Sequence, residues 1–218
     1  MPAKIKLDIV SDVVCPWCVV GYNGLQQAIT ELGVEDQVEI EWQPFELNPD
    51  MPATGENLRQ HVARKYGSSI EDSNNTRADI TQRGAAFGFS FNFTDDMKMV
   101  NTFEAHMLLD YAKAFGKQTD LKLRLFAAYF SEHKDVSDRT TLAAELAAVG
   151  LNAAEALALL DNPNARNKLK AEKAQWTHAG VSSVPTVVFN RQSALTGAHP
   201  AQSYKQVLTE LLTAQASS

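Results

Sequence analysis

The chain has 218 residues, 44% of them hydrophobic and 21% charged, which is enough apolar chain for a sizeable core and excludes a disordered or disulfide-scaffold polypeptide. Lys and Arg number 20 against 26 Asp and Glu, a formal net charge of −6 without a strong basic run, so nucleic acid and anionic membrane surfaces are not expected partners. No segment approaches the ~20 apolar residues of a membrane helix.

The chain opens Met1-Pro2-Ala3-Lys4-Ile5-Lys6-Leu7-Asp8. Polar and apolar residues alternate, which reads as a strand rather than a secretory leader. The expected location is therefore cytoplasmic. After Ser11-Asp12 a helical stripe runs through Trp17, Val20, Leu25, Ala28, Ile29 and Leu32, with Gly33 as its stop. Val38, Ile40, Trp42 and Pro44 alternate with polar residues and predict a second strand. Strand–helix–strand in this order predicts a parallel crossover.

From about Gly55 to Trp176 strand signal is scarce. Leu58, Val62 and Tyr66 share one helical face before Gly67. Further stripes run through Phe103–Tyr111, Leu121–Tyr129 and Leu142–Val149, the last closed by Gly150-Leu151. The polar segment Ile70–Asp79 predicts a loop or a weak helix. Asn162-Pro163 reads as a cap and first turn of another helix. Strand signal returns at Thr186–Phe189, with a turn at Asn190–Ser193 and a short return strand at Ala194–Thr196. Pro200 to Leu212 predicts a closing helix, and the tail from Ala214 is expected to fray. The order suggests an α/β sheet domain, residues 1–50 and 165–218, interrupted by a helical insertion, residues 51–164.

Cys15 and Cys18, in Cys15-Pro16-Trp17-Cys18, are the only cysteines. Structural disulfides are rare in reducing compartments, so a close pair points to redox or metal chemistry. Zinc needs three or four protein ligands, and none of the five histidines stands at a matching spacing. Two inert, buried thiols remain an alternative. The site between a strand end and a helix start favours redox chemistry: unpaired N–H groups and the helix macrodipole stabilise a thiolate at Cys15, and Cys18 lies one turn further on. Pro16 suits the first helical turn. Trp17 fits either a core aromatic or an exposed apolar patch beside the thiols. Val184-Pro185-Thr186 is the second element; Pro185 marks either a turn at a strand start or a cis peptide bond. Glycine-rich phosphate loops are absent, so no nucleotide cofactor is expected.

These residues resemble the thioredoxin superfamily. The helical block between the two halves of the sheet domain resembles its DsbA-like branch, and within it FrnE-like proteins. The likeness rests on Asp12–Gly21, Phe45-Glu46-Leu47-Asn48-Pro49, Asn101–His106, Leu125–Phe130, Gly180–Thr186 and Gly197–Pro200. It spans nearly the whole chain. Met107, Ser183 and His199 depart from it, and Met107 weakens any expectation of a charged substrate contact.

The resemblance implies a thioredoxin-like fold interrupted by an all-helical insertion, and a thiol–disulfide oxidoreductase or isomerase. Cys15 would be the nucleophile and Cys18 the resolving thiol, with Pro185 packed against the pair. Pro16, Trp17, Val184 and His106 would face substrate, although His106 also fits a satisfied interface histidine. No cofactor and no metal are implied. Glutathione is a plausible co-substrate, and the expected partners are proteins or peptides carrying thiols or disulfides. Two other readings compete. One is a glutathione-dependent isomerase or transferase resembling 2-hydroxychromene-2-carboxylate isomerase or the kappa class, which typically carries Ser at the position of Cys15 and has no use for Cys18. The other is a binding module switched by its disulfide. Trp17 carries no titratable proton, so the expected potential is less oxidising than the ~−120 mV of the periplasmic oxidant and nearer ~−180 to −270 mV.

Overall fold

The computed structural model describes residues 4–216. Met1, Pro2 and Ala3 of the expected N-terminal strand pattern, and Ser217 and Ser218 of the tail, lie outside the described residues.

Strand β1 (Ile5–Ser11) is buried along almost its whole length, with Ile5, Leu7, Ile9 and Val10 all in the core. A strand covered on both faces belongs in the middle of a sheet. It does so here: the order is β2 (Val38–Pro44), β1, β5 (Thr186–Phe189), β6 (Ser193–Thr196). Helix α1 (Pro16–Leu32) follows, with Pro16 in its first turn and Gly33 ending it in the left-handed conformation (φ 64°), where Val34 N–H reaches back to Ile29 O. A short 3₁₀ turn (Glu35–Gln37) leads into β2 (Val38–Pro44), which pairs parallel to β1 with Ile9 opposite Trp42. The crossover expected from the sequence is present.

The sheet is completed by β5 (Thr186–Phe189), antiparallel to β1, and β6 (Ser193–Thr196), antiparallel to β5. The last helix, numbered α9 in chain order (Ala201–Ala216), lays Tyr204 and Leu208 against α1. It continues past Ala214, where fraying was expected, to Ala216.

Between β2 and β5 run the helices α2 (Leu58–Tyr66), α3 (Ile70–Ala86), α4 (Phe103–Lys113), α5 (Gln118–Phe130), α6 (Arg139–Ala148), α7 (Ala153–Leu159) and α8 (Pro163–His178), with a two-residue ribbon of β3 (Glu56–Asn57) and β4 (Lys98–Met99). Helices α4, α5 and α8 pack against β2 and so close one side of the sheet domain. The free edge of β2 is capped by one side chain: the Gln118 amide accepts from Trp42 N–H (2.9 Å) and donates to Trp42 C=O (2.9 Å).

One expectation is corrected. Ile70–Asp79 is neither a loop nor a weak helix but the first half of α3. Its start is fixed by a capping box, Ser69 Oγ accepting from Asp72 N–H and the Asp72 carboxylate accepting from Ser69 N–H. The polar sequence reflects exposure, since Ile80 and Gly84 are its only buried residues.

Candidate active site

The chain leaves β1 at Ser11, turns through Asp12, Val13 and Val14, and enters α1 with Cys15 at its N-cap, where Cys15 N–H bonds Asp12 O (3.2 Å). Cys15 is 4% exposed and Cys18 0%. Both are free thiols, hydrogen-bonded to each other. Both residues are buried, and of the two only Cys15 keeps any exposure. Its Sγ donates to Val184 O at 3.8 Å.

The Val184–Pro185 bond is cis, which settles the choice left open by the sequence. Pro185 is buried at the head of β5 and its carbonyl accepts from Gly197 N–H (2.7 Å). Gly21 lets α1 approach this loop: a Cβ there would lie 2.9 Å from Pro185 Cγ. Val184 is half-buried, and Ser182 and Ser183 before it are exposed.

Beneath the sulfurs lies a buried set of ionisable groups. Asp12, 0% exposed, accepts from Leu47 N–H (2.8 Å) on Oδ2 and meets His106 Nε2 (3.2 Å) on Oδ1. Burial opposes its charge, but the His106 hydrogen bond, the Leu47 N–H and the nearby Lys122 charge outweigh that and hold it below the ordinary carboxylate range. Burial pushes His106 down, against the Asp12 hydrogen bond and charge that favour its protonated form, and its Nε2 meets the carboxylate. Lys122 is buried on α5 and also pushed down by burial, to about 8.

The two thiols titrate as a pair. Burial works against the first negative charge. The hydrogen bond between the sulfurs, the Lys122 charge and the Asp12 backbone outweigh it, so the first proton leaves below the ordinary thiol range. The second is held far above that range by the sulfur–sulfur bond, by burial and by the charge already present. The helix N-terminus invoked from the sequence is thus one contributor among several, because the Lys122 charge from α5 also favours a thiolate at Cys18.

Pro16 and Trp17 are half-buried. Trp17 packs on the core, and the Arg83 guanidinium of α3 stands 5.7 Å from its ring. Tyr66, at the end of α2, is 61% exposed and its hydroxyl feels the charge of Cys15. Of the two readings of His106, the structure bears out the satisfied histidine and corrects the substrate-facing one: it is 3% exposed with Nε2 on Asp12 Oδ1. Asp12, Lys122 and Tyr66 were missed as site residues. A signal existed for Lys122, which falls four residues from both Gln118 and Phe126 on the buried face of α5. Among the described residues no three His, Cys, Asp or Glu side chains gather as a metal site.

The sequence matches the DSBA-like thioredoxin domain over residues 6–209. The chain belongs to this family. A solved structure of a probable DsbA oxidoreductase from Streptomyces coelicolor is 29% identical, with a TM-score of 0.88 over 94% of this chain and 89% of that one. The uncharacterized protein YwbO of Bacillus subtilis (strain 168) is 26% identical over 84% of this chain and 86% of its own. The cytosolic disulfide reductase DsbM from Pseudomonas aeruginosa, solved with GSH, shares the fold at 19% identity and a TM-score of 0.61, over 95% of this chain and 99% of that one.

Proposed function

We propose that this DsbA-like protein is a thiol–disulfide oxidoreductase in which Cys15 attacks and Cys18 resolves. The observation that carries the assignment is position: Cys15 stands at the N-cap of α1 with its Sγ on the Val184 carbonyl, 3.8 Å away, beside the exposed Ser182-Ser183, whereas Cys18 is 0% exposed. The pair starts with one negative charge and one proton. As Cys15 attacks a substrate disulfide, the shared proton passes to Cys18, a Cys15–substrate bond forms, and the substrate's own disulfide breaks with loss of a thiolate. Cys18 then gives up the proton, ultimately to the departing thiolates, and attacks Cys15. Two electrons leave the dithiol, the Cys15–Cys18 disulfide forms, and the substrate departs as one thiol, which carries the pair's proton, and one thiolate, which takes its proton from solvent. Oxidation of a substrate runs the same steps backwards.

Substrates of this reading are disulfides or thiols in proteins or peptides. The exposed Ser182-Ser183 backbone and half-buried Val184 next to the attacking sulfur suit an extended segment held by main-chain bonds, which reads little sequence. Glutathione is the proposed co-substrate, supported by the GSH-bound fold relative. The setting is proposed to be cytoplasmic; no helix among the described residues is long and apolar enough to cross a membrane. An isomerase of the 2-hydroxychromene-2-carboxylate type would leave Cys18 without a task.

The test is trapping with a peptide disulfide. C18S is expected to accumulate a mixed disulfide at Cys15, and C15S to accumulate none. Trapping by C15S instead would reverse the roles, and turnover of disulfides by the double variant would remove the proposal.

A further inference from the structure

We propose that the groove between α3 and residues 91–95 binds a small monocarboxylate with an aromatic or apolar body, its carboxylate held by Arg77 and Arg59. The groove shares no lining residue with the thiol site and stands independently of the reading of Cys15 and Cys18.

Its cationic end is built from two helices. Arg59 of α2 and Arg77 of α3 converge on one carboxylate oxygen: Asp95 Oδ1 stands 2.7 Å from Arg59 Nε and 3.6 Å from Arg77 Nη1. Asn74 Oδ1 accepts from Arg59 Nη1 at 2.8 Å. Arg77 is the unusual member. Its side chain is only 14% exposed, with the guanidinium carbon 5.4 Å from the Phe93 ring centre. Yet its one hydrogen bond is long, 3.5 Å from Nη1 to Thr94 O. Nε and Nη2 have no acceptor among the described residues, and the described side-chain atoms sealed without a partner belong to Ser11, His61 and Tyr204 instead. The two nitrogens therefore open onto the groove that Arg77 lines. A guanidinium presents its donors as a fork that fits a carboxylate. Asp95 is 81% exposed, so solvent screens its pairing and leaves that fork available.

Charge and shape select the ligand. Asp95 cancels one guanidinium charge, and every other residue lining the groove is neutral. One net positive charge, in a protein of net charge −6, suits a monoanion better than a phosphate dianion. Beyond the arginines the groove is largely apolar, with Ala78 and Ala85 on the α3 side and Phe91 and Phe93 opposite, their rings parallel within 3° at 5.7 Å. Its volume, about 630 Å³, is that of a small-molecule site. The aromatic side is already fixed. Phe91 meets Phe130 edge-on at 5.1 Å, Asn92 N–H donates to Phe130 O (2.9 Å), and Asn92 Nδ2 donates to Ser131 O (2.8 Å). Gly84 admits the Phe91 ring to α3, where a Cβ would stand 2.5 Å from Phe91 Cδ2. An aromatic body finds ring faces and edges to pack on here, with its carboxylate at the arginine end.

The experiment titrates phenylacetate into the unmutated protein, followed by NMR, with phenylacetamide and acetate beside it. Phenylacetate is expected to saturate, with shifts at Arg77 Nε–H and at the Phe91 and Phe93 rings. Phenylacetamide keeps the body without the charge and acetate the charge without the body; each should bind about tenfold more weakly or not at all. R77M should weaken phenylacetate about tenfold and leave phenylacetamide unaltered, and R77K should fall between them, because an ammonium has no fork. Absence of saturation by phenylacetate, equal affinity for the amide, shifts confined to α1, or a folded R77M that binds as the parent does would each overturn the inference. Should R77M fail to fold, the acid–amide comparison on the unmutated protein decides, since it needs no variant.

Discussion

Gly21→Ala is a sharp test of how the thiol helix and the Val184–Pro185 loop are held together. Gly21 lies one turn past Cys18, and an added Cβ would stand 2.9 Å from Pro185 Cγ, 3.4 Å from Ala198 Cα and 3.6 Å from the Tyr204 hydroxyl. Ordinary contact begins at 3.4 Å, so α1 and the loop must separate by about 0.5 Å, the difference of 3.4 and 2.9. The proline ring is buried and stiff and cannot swing aside. Overpacking of this kind costs ~1–3 kcal/mol, against which a helical Gly→Ala change returns up to ~1 kcal/mol. The expected net loss is about 1 kcal/mol, a drop of ~2–4 °C in Tm for a chain this long. The same displacement carries the Val184 carbonyl away from Cys15, and disulfide exchange should fall about tenfold, since misplacement by ~1 Å can cost ~100-fold. Urea unfolding and kcat/KM on a peptide disulfide measure the two effects. Gly24→Ala, whose Cβ would meet His199 O at 2.6 Å, should lose stability with a smaller effect on exchange. A G21A protein as stable and as active as the parent would refute the reasoning.

Two further outcomes follow from the side chains around this core. Glu41 is pressed down to about 2: burial opposes its charge, but hydrogen bonds from Lys113 and Lys6 outweigh it. A depressed carboxylate contributes stability that is present above its unfolded value of ~4.3 and is lost as pH falls through about 2; E41Q should therefore flatten the acid limb of the unfolding curve below ~4.3, and an unchanged limb would contradict the pairing. Ser69→Ala removes the cap of α3 at ~1 kcal/mol. Amide exchange in the first turns of α3 should quicken and Trp17 emission, under Arg83, should shift red; unaltered exchange would show that the capping box does not hold the helix.

The sheet and most helices were legible because their causes are local. β1 carries its alternation, Gly33 and Gly67 end α1 and α2 in the left-handed region, and Asn162-Pro163 starts α8 with its side chain accepting from Asn164 and Ala165 N–H. α3 was not legible as a stable helix because it buries little, so no apolar stripe marks it. The short α7 was not separately evident either: Ala153–Leu159 buries only Ala156. The Cys pair and Pro185 could be singled out as residues. Their meeting could not, since Cys15 and Val184 stand 169 positions apart and join only through the pairing of β1 with β5. The buried groups were hidden for a like reason. Asp12, Leu47, His106 and Lys122 come from four separate segments, and nothing in any one of them says that Asp12 will meet Leu47 N–H and His106 or that an ordinary Lys on α5 will be buried against Trp42 and Phe126.

The most direct measurement is the reduction potential of Cys15–Cys18, by equilibration in glutathione buffers with alkylation of the remaining thiols. The expected result is one two-electron transition in which both thiols disappear together, at ~−180 to −270 mV. A value near ~−120 mV would contradict the potential expected of Cys-Pro-Trp-Cys. Thiols that are alkylated independently at every glutathione ratio, with no disulfide between them, would contradict the redox assignment itself.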